Sequence, residues 1–243
     1  LLESGANVET GFEAKLRAAA DHVDACLVLW LDRGAAADAR LLSAMRHGVL
    51  GGGKRFRPFL VTECASLFGV PAEKSVDAAA ALECIHCYSL VHDDLPCMDN
   101  DTLRRGQPTV WAKFDEWTAV LAGDALLTLA FEITATPQPG RDAIASNALT
   151  LALARAAGAA GMVGGQAIDL AADKRGEPAA PTLAHVRRLQ SLKTGALIRV
   201  ACEMGAILGA ASAVERAALL TYGDPPGFAF QIADDLLDVE GSA

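Results

Sequence analysis

Long hydrophobic runs are scarce in this chain: no stretch of about 18 residues passes without a polar interruption, so no membrane-spanning helix is expected. No basic-then-apolar leader opens the sequence either. Aromatic residues make up 5%, and runs of β-branched or aromatic residues alternating with polar ones are missing, so strands are not expected and the reading is all-α. Basic residues are outnumbered, 21 Lys and Arg against 30 Asp and Glu for a net charge of -9, which excludes a broad cationic footprint and with it nucleic acid as the expected partner. The six cysteines form no paired framework and no zinc spacing; Cys26, Cys84, Cys87 and Cys202 all fall inside helical patterns. A reducing compartment, the cytoplasm, is expected. There is no glycine-rich Walker loop, no Ser-His or Cys-His constellation, no repeat of fixed period and no low-complexity linker.

What is present is an apolar content of 52% over 243 residues, enough to bury a large core as one domain. Glycine and proline punctuate the helices. Gly51 to Gly53 close one, Pro58 stands in the first turn of the next, and Gly69 with Pro71 precede a long helix from Ala72 to Pro96. Further helices are expected over Thr109–Ala135, Arg141 to about Ala171, Thr182 to about Leu208, and Ala213 to about Val239. A polar surface loop, `DKRGEPAAP`, separates the second of these four from the third. Pro225 and Pro226 interrupt the last pattern, where proline in a helix interior costs about 3 kcal/mol, so a break or sharp kink is expected there.

Two acidic clusters stand out. `HDDLPCMDNDTLRRG` places Asp93, Asp94, Asp99 and Asp101 ahead of Arg104 and Arg105, and `FQIADDLLDVEG` supplies Asp234, Asp235 and Asp238. Asp234 and Asp238 are spaced i, i+4, so both carboxylates project from one helix face with no Lys or Arg in the same turns. A solvated helix end is the plain alternative, but both clusters are bracketed by core-like sequence. Oxygen-only donors select hard ions such as magnesium or manganese over zinc. Asp93 and Asp99, six apart, cannot share a face of an unbroken helix, so the helix is expected to loosen near Pro96.

The cations gather at three places: `GGKRFRP` with Lys54, Arg55 and Arg57, `LRRG` with Arg104 and Arg105, and `SLKTG` with Lys193 and Thr194. Glycine-rich backbone beside Lys and Arg holds phosphate well, although any one such loop is commonly just solvated. His86 lies two turns, about 10 Å, below Asp93 on the same helix face, in line for an anion donor. Hard cations on two carboxylate clusters with three basic anchors point to a polyphosphate bridged to aspartates by metal.

Through `GGKRFRP`, `IHCYSLVHDDLPCMDNDTLRRGQPT`, `LAGDALLTLAFE`, `GMVGGQAIDL`, `LKTGALI` and `FQIADDLLDV`, nearly the whole chain resembles the trans-isoprenyl diphosphate synthases, most closely the bacterial farnesyl diphosphate synthases. The resemblance implies a bundle of mostly antiparallel helices around a deep central cavity, working as a homodimer. It implies that Asp93, Asp99 and Asp234 coordinate three Mg2+ ions, with Mn2+ as a substitute and Asp94, Asp235 and Asp238 in support. Those ions would hold the diphosphate of dimethylallyl or geranyl diphosphate, assisted by Arg104, Lys193, Thr194 and Gln231. Lys54, Arg57, His86 and Arg105 would hold isopentenyl diphosphate. The implied reaction is head-to-tail condensation by ionisation, carbon–carbon bond formation and proton loss, giving farnesyl diphosphate.

Product length is expected to follow cavity depth below Asp93. Tyr88, about 7.5 Å down the helix axis, with Ser89 beside it, is placed to floor the pocket. In the family, an aromatic there together with the two-residue insertion of `DDLPCMD` accompanies a C15 product. The alternatives are a geranylgeranyl or geranyl diphosphate synthase, or a non-catalytic subunit of the same fold. Terpene cyclases need no second anchor such as Lys54, Arg57 and His86. Because the sequence opens on Leu1 and stops five residues after Asp238, the expectation is a synthase domain over 1–243 trimmed from a longer protein and lacking the C-terminal helices and lid.

Overall fold

The computed structural model describes residues 11–34 and 38–223. Helices dominate: α1 (Gly11–Arg33), α2 (Ala39–Leu50), α3 (Phe56–Ser66), α4 (Ala72–Asp93), α5 (Val110–Lys113), α6 (Glu116–Ala135), α7 (Ala143–Ala157), α8 (Met162–Arg175), α9 (Leu183–Gln190) and α10 (Ala196–Leu208). Residues 213–223 are helical again. The expected all-α class is what the described residues adopt, with one small departure. β1 (Leu103–Arg104) and β2 (Gln107–Pro108) form a two-stranded antiparallel hairpin, too short to leave any alternating pattern in the sequence.

The core is built around α4. Its run Ala78–Ala81 is wholly buried, as are Leu82, Cys84 and Ile85, and it packs most extensively on α6 and α3, with α1, α2 and α10 completing the surround. Alanine on so many faces lets neighbouring helices approach from every side, which is why α4 shows no polar stripe. Each fully buried Leu or Ile contributes about 1.5–3 kcal/mol from burial. The helix α6 is long and apolar enough, by length and composition, to cross a bilayer, as is the stretch Ala143–Arg175. In α6 that character serves the core instead: Ala122, Leu126, Ala130 and Ile133 are fully buried.

Two expected helices are each divided. Thr109–Ala135 breaks at Phe114, because Asp115 takes an extended conformation and its carboxylate caps α6 by accepting from Thr118 N at 2.8 Å. Arg141–Ala171 breaks at Gly158–Gly161, and α8 then continues to Arg175, past the expected end. A Cβ at Gly161 would sit 2.0 Å from the Ala156 carbonyl oxygen, so this turn requires glycine. The helix α4 ends at Asp93, three residues before Pro96. The segment Thr182–Leu208 is one rod, with a π-helical turn at Ser191–Gly195 inserted between α9 and α10. Pro225, Pro226 and the expected kink lie outside the described residues.

One ion cluster fastens this arrangement. Arg55 is 2% exposed; its Nε donates to Asp24 on α1 at 2.8 Å, its Nη1 to Glu83 on α4 at 2.7 Å, and its Nη2 to the Val49 carbonyl of α2 at 2.6 Å. Although it belongs to the cationic loop `GGKRFRP`, this guanidinium is committed to the core. Removing one partner of a buried, hydrogen-bonded charge pair costs about 3–5 kcal/mol. Glu83→Ala should lower unfolding free energy by that amount in urea titrations, whereas Arg55→Met with Glu83→Leu together should cost clearly less.

Candidate active site

At the end of α4 the chain folds back on itself. Asp99 N donates to Asp93 O at 2.8 Å, Asn100 N to Leu95 O at 3.1 Å, and Asp101 N to Asp94 O at 3.1 Å. Asn100 takes the left-handed conformation (φ 59°), which Asn tolerates better than most residues. The reversal sets Asp99 near Asp93 at the mouth of one cavity, so the expected loosening occurs, but just after the helix rather than inside it.

That cavity, of about 610 Å3, is lined by Arg57, His86, Tyr88, Ser89, Asp93, Asp99, Arg104, Lys193 and Thr194. Nine positions singled out from sequence therefore share one hollow, although they come from α3, α4, the turn after α4, the hairpin and the π turn. Leu90, Met98, Met162, Leu170 and Leu197 supply apolar wall. Tyr88 is buried and meets His92 edge-to-face at 5.8 Å. His92 lies against α6 with its Nε2 3.0 Å from the Val120 carbonyl, in a notch where a Cβ at Gly123 would come within 2.1 Å of the ring.

Not every expected residue lines the hollow. Arg105 faces an adjacent small cleft with Gly52, Asp94 and Arg104; its guanidinium donates to the Gly52 carbonyl, and a Cβ at Gly53 (φ 141°) would collide with it at 2.5 Å. Lys54 is exposed on the same loop. Asp94 is buried and accepts two bonds from Arg104, from Nε at 2.8 Å and Nη2 at 2.6 Å, so its carboxylate is turned to the hairpin. Gln231, Asp234, Asp235 and Asp238 lie outside the described residues.

The electrostatics follow from enclosure. Burial, opposed by Lys193 and reinforced by Asp99, pushes the Asp93 carboxyl up to about 7. Asp99 is raised in the same direction, chiefly by burial. His86 moves the other way: burial and then the nearby Arg57, Arg105, Arg55 and Arg104 hold its imidazole well below the ordinary range, so it is neutral at pH 7. Its Nε2 lies 3.4 Å from Arg57 Nη1. The pocket thus sets the carboxyls of Asp93 and Asp99 in one hollow with the guanidinium of Arg57 and the neutral imidazole of His86.

One lining residue and the partner of another escaped the sequence reading, although both sit in `GMVGGQAIDL`. Asp169 forms an ion pair with Lys193. Gln166 faces the cavity with both amide atoms buried and no hydrogen-bond partner. Both depend on Gly165, where a Cβ would lie 2.2 Å from Lys193 N; α8 thereby rests directly on the π turn. A π turn inserted into a helix commonly marks a functional position, and here it presents Lys193 and Thr194 to the hollow. The local signal was a glycine pair before a polar residue in an apolar helix.

Among the described residues no three His, Cys, Asp or Glu side chains come together as a metal-binding group. Asp93 and Asp99 do fit a hard divalent cation: both are oxygen donors whose charged forms are disfavoured by burial inside an enclosed site.

Comparison with known proteins gives the family. The Polyprenyl synthetase family profile matches residues 38–243, and the chain belongs to that family. It is 48% identical over 207 residues to the farnesyl diphosphate synthase of Escherichia coli (strain K12), covering 83% of this chain and 67% of that protein. To the farnesyl diphosphate synthase of Geobacillus stearothermophilus it is 42% identical, covering 84% and 68%. The chloroplastic geranylgeranyl pyrophosphate synthase 9 of Arabidopsis thaliana is 44% identical, with 82% and 55% covered. Among solved structures, an FPP/GFPP synthase from Zymomonas mobilis superposes with a TM-score of 0.85 at 47% identity, over 92% of this chain and 80% of that one.

A carboxyl raised from 3.8 to about 7 binds its proton more tightly in the folded than in the unfolded state. Its stabilising contribution is therefore complete below about pH 3.8 and is lost as pH rises through about 7. Without divalent cations, Asp93→Asn should be more stable than the parent at pH 8 and should lose that slope between pH 4 and 7, as read from chemical denaturation across pH.

Proposed function

We propose that this protein is a prenyltransferase of the farnesyl diphosphate synthase type, joining isopentenyl diphosphate head-to-tail to dimethylallyl or geranyl diphosphate. The observation that carries the reading is the division of one hollow into a carboxylate mouth, a cationic side and an apolar wall. Two diphosphates and a growing hydrocarbon need these three surfaces.

Asp93 and Asp99, with Asp234 from the second cluster, would hold Mg2+, three ions when fully loaded, with Mn2+ able to replace them; Asp94, Asp235 and Asp238 support them. Bound there, the metal supplies electrophilic stabilisation of the diphosphate leaving group. Arg104, Lys193, Thr194 and Gln231 hold the allylic diphosphate, and the cationic groups draw off the charge that develops as the carbon–oxygen bond breaks. Arg57 and His86, with Lys54 and Arg105 on the neighbouring loop, hold the diphosphate of isopentenyl diphosphate. Its double bond attacks the allylic carbon, a carbon–carbon bond forms, and the proton lost from the new chain passes to the departed diphosphate. The apolar wall keeps water from the electron-poor carbon.

The reading extends to a cytoplasmic homodimer. Trp117, Val120 and Leu121 lie exposed on the first turns of α6, an apolar face suited to a second copy.

Incubation of the full-length protein with isopentenyl and geranyl diphosphates should yield a C15 diphosphate only when Mg2+ is present, as judged by mass spectrometry of the extracted lipid. No metal-dependent condensation would favour the non-catalytic alternative. Tyr88, buried in the wall below Asp93, is assigned to floor the product cavity together with Ser89. Tyr88→Ala should therefore shift the product to C20 or longer; an unchanged product profile would reject that role.

A further inference from the structure

His92 lines the cavity one residue before Asp93, and the proposed reaction gives it no task. It lies one turn after Tyr88 on α4. Helix side chains lean back towards the helix N-terminus, so the imidazole covers the turn that carries the tyrosine. The two rings meet edge-to-face, with centroids 5.8 Å apart and planes at 78°. Tyr88 is 6% exposed, and a ring so enclosed keeps only the rotamer that its neighbours leave open.

The imidazole is itself held by α6. Its Nε2 lies 3.0 Å from the Val120 carbonyl oxygen; a carbonyl only accepts, so this nitrogen carries the proton and donates. The ring fills a space that exists because residue 123 has no side chain: a Cβ there would lie 2.1 Å from Nε2 and 2.4 Å from Cδ2. A hydrogen bond and a notch thus fix the ring that touches Tyr88.

We propose that His92 is a positioning residue for product length: wedged between the Gly123 notch and Tyr88, it keeps the tyrosine ring across the cavity and so stops chain growth. This rests on the assignment of Tyr88 as the pocket floor. A floor excludes the next five-carbon unit only if it cannot turn aside. Without the imidazole, the Tyr88 ring gains the vacated space beside α6 and the cavity deepens. With the notch filled by a methyl group, the imidazole is driven out of it towards Tyr88 and the cavity shortens, because a packed interior passes such displacements on to the next side chain. Changes at the two ends of this contact chain therefore move product length in opposite directions.

The test uses the full-length protein with Mg2+, dimethylallyl diphosphate and isopentenyl diphosphate, the products being separated by chain length and weighed. His92→Ala should make C20 or longer the main product. His92→Phe, which keeps a ring in the notch without the hydrogen bond, should retain C15. Gly123→Ala should raise the C10 share, and His92→Ala added to it should reverse that change, since the new methyl group then meets no ring. The double variant decides the matter if Gly123→Ala alone folds poorly. A slower His92→Ala enzyme that still stops at C15 would assign His92 to the support of Asp93 or of the fold, and would overturn the proposal. If Tyr88→Ala lengthens the product while the His92 and Gly123 variants leave it at C15, the floor stands and the wedge fails. If Tyr88→Ala changes nothing, both fail; if the parent condenses nothing, the prenyltransferase reading fails first.

Discussion

A single buried guanidinium organises one end of this molecule. Arg55 lies between Asp24, Glu83 and the Val49 carbonyl, and so joins α1, α2 and α4 at the first residue before α3. Desolvating a charge is costly unless every donor finds a partner, so the three acceptors constrain the backbone as well as the side chain. Arg55 itself is held in the left-handed region (φ 49°), and the residues on either side are thereby aimed: Lys54 outward on the glycine loop, Arg57 inward from the first turn of α3 to His86. The sequence placed three cations in one loop, but only their packing separates Arg55, buried among its acceptors, from Lys54, which is exposed, and Arg57, which lines the cavity.

The opposite end follows a complementary rule. Asp93, Asp94 and Asp99 would repel one another on a continuous helix, and the fold separates their surroundings. Asp94 is neutralised by Arg104, Lys193 is shared with Asp169, and Asp93 is left enclosed with its carboxyl raised to about 7. Burial there outweighs the attraction of Lys193. Backbone contact without side chains sets the precision of this arrangement, since Gly165 seats α8 on the π turn and Gly123 receives the His92 ring.

The long helices and the breaks between them were legible to different degrees. The helix α4 was readable as buried from its alanine and leucine content, and the reversal after Asp93 from Pro96 and the six-residue aspartate spacing. The break at Asp115 was overlooked because Asp is unremarkable in a helix until its carboxylate caps the next one. Gly158–Gly161 looked like two tolerated glycines in an alanine-rich helix, and only the approach of the preceding carbonyl shows that a side chain cannot fit at 161. Gln166 and Asp169 were passed over for a related reason: their significance lies in facing Lys193 from a helix distant in sequence.

Sequence alone determined the helical class, the acidic and basic clusters, the family resemblance and the identity of most candidate residues, because these depend on residue type and short-range spacing. Tertiary structure decided which charges are spent on one another. Burial and pairing are set by what packs against each group, so Arg55 and Asp94 became structural partners while Asp93, Arg57 and His86 came to face a common hollow.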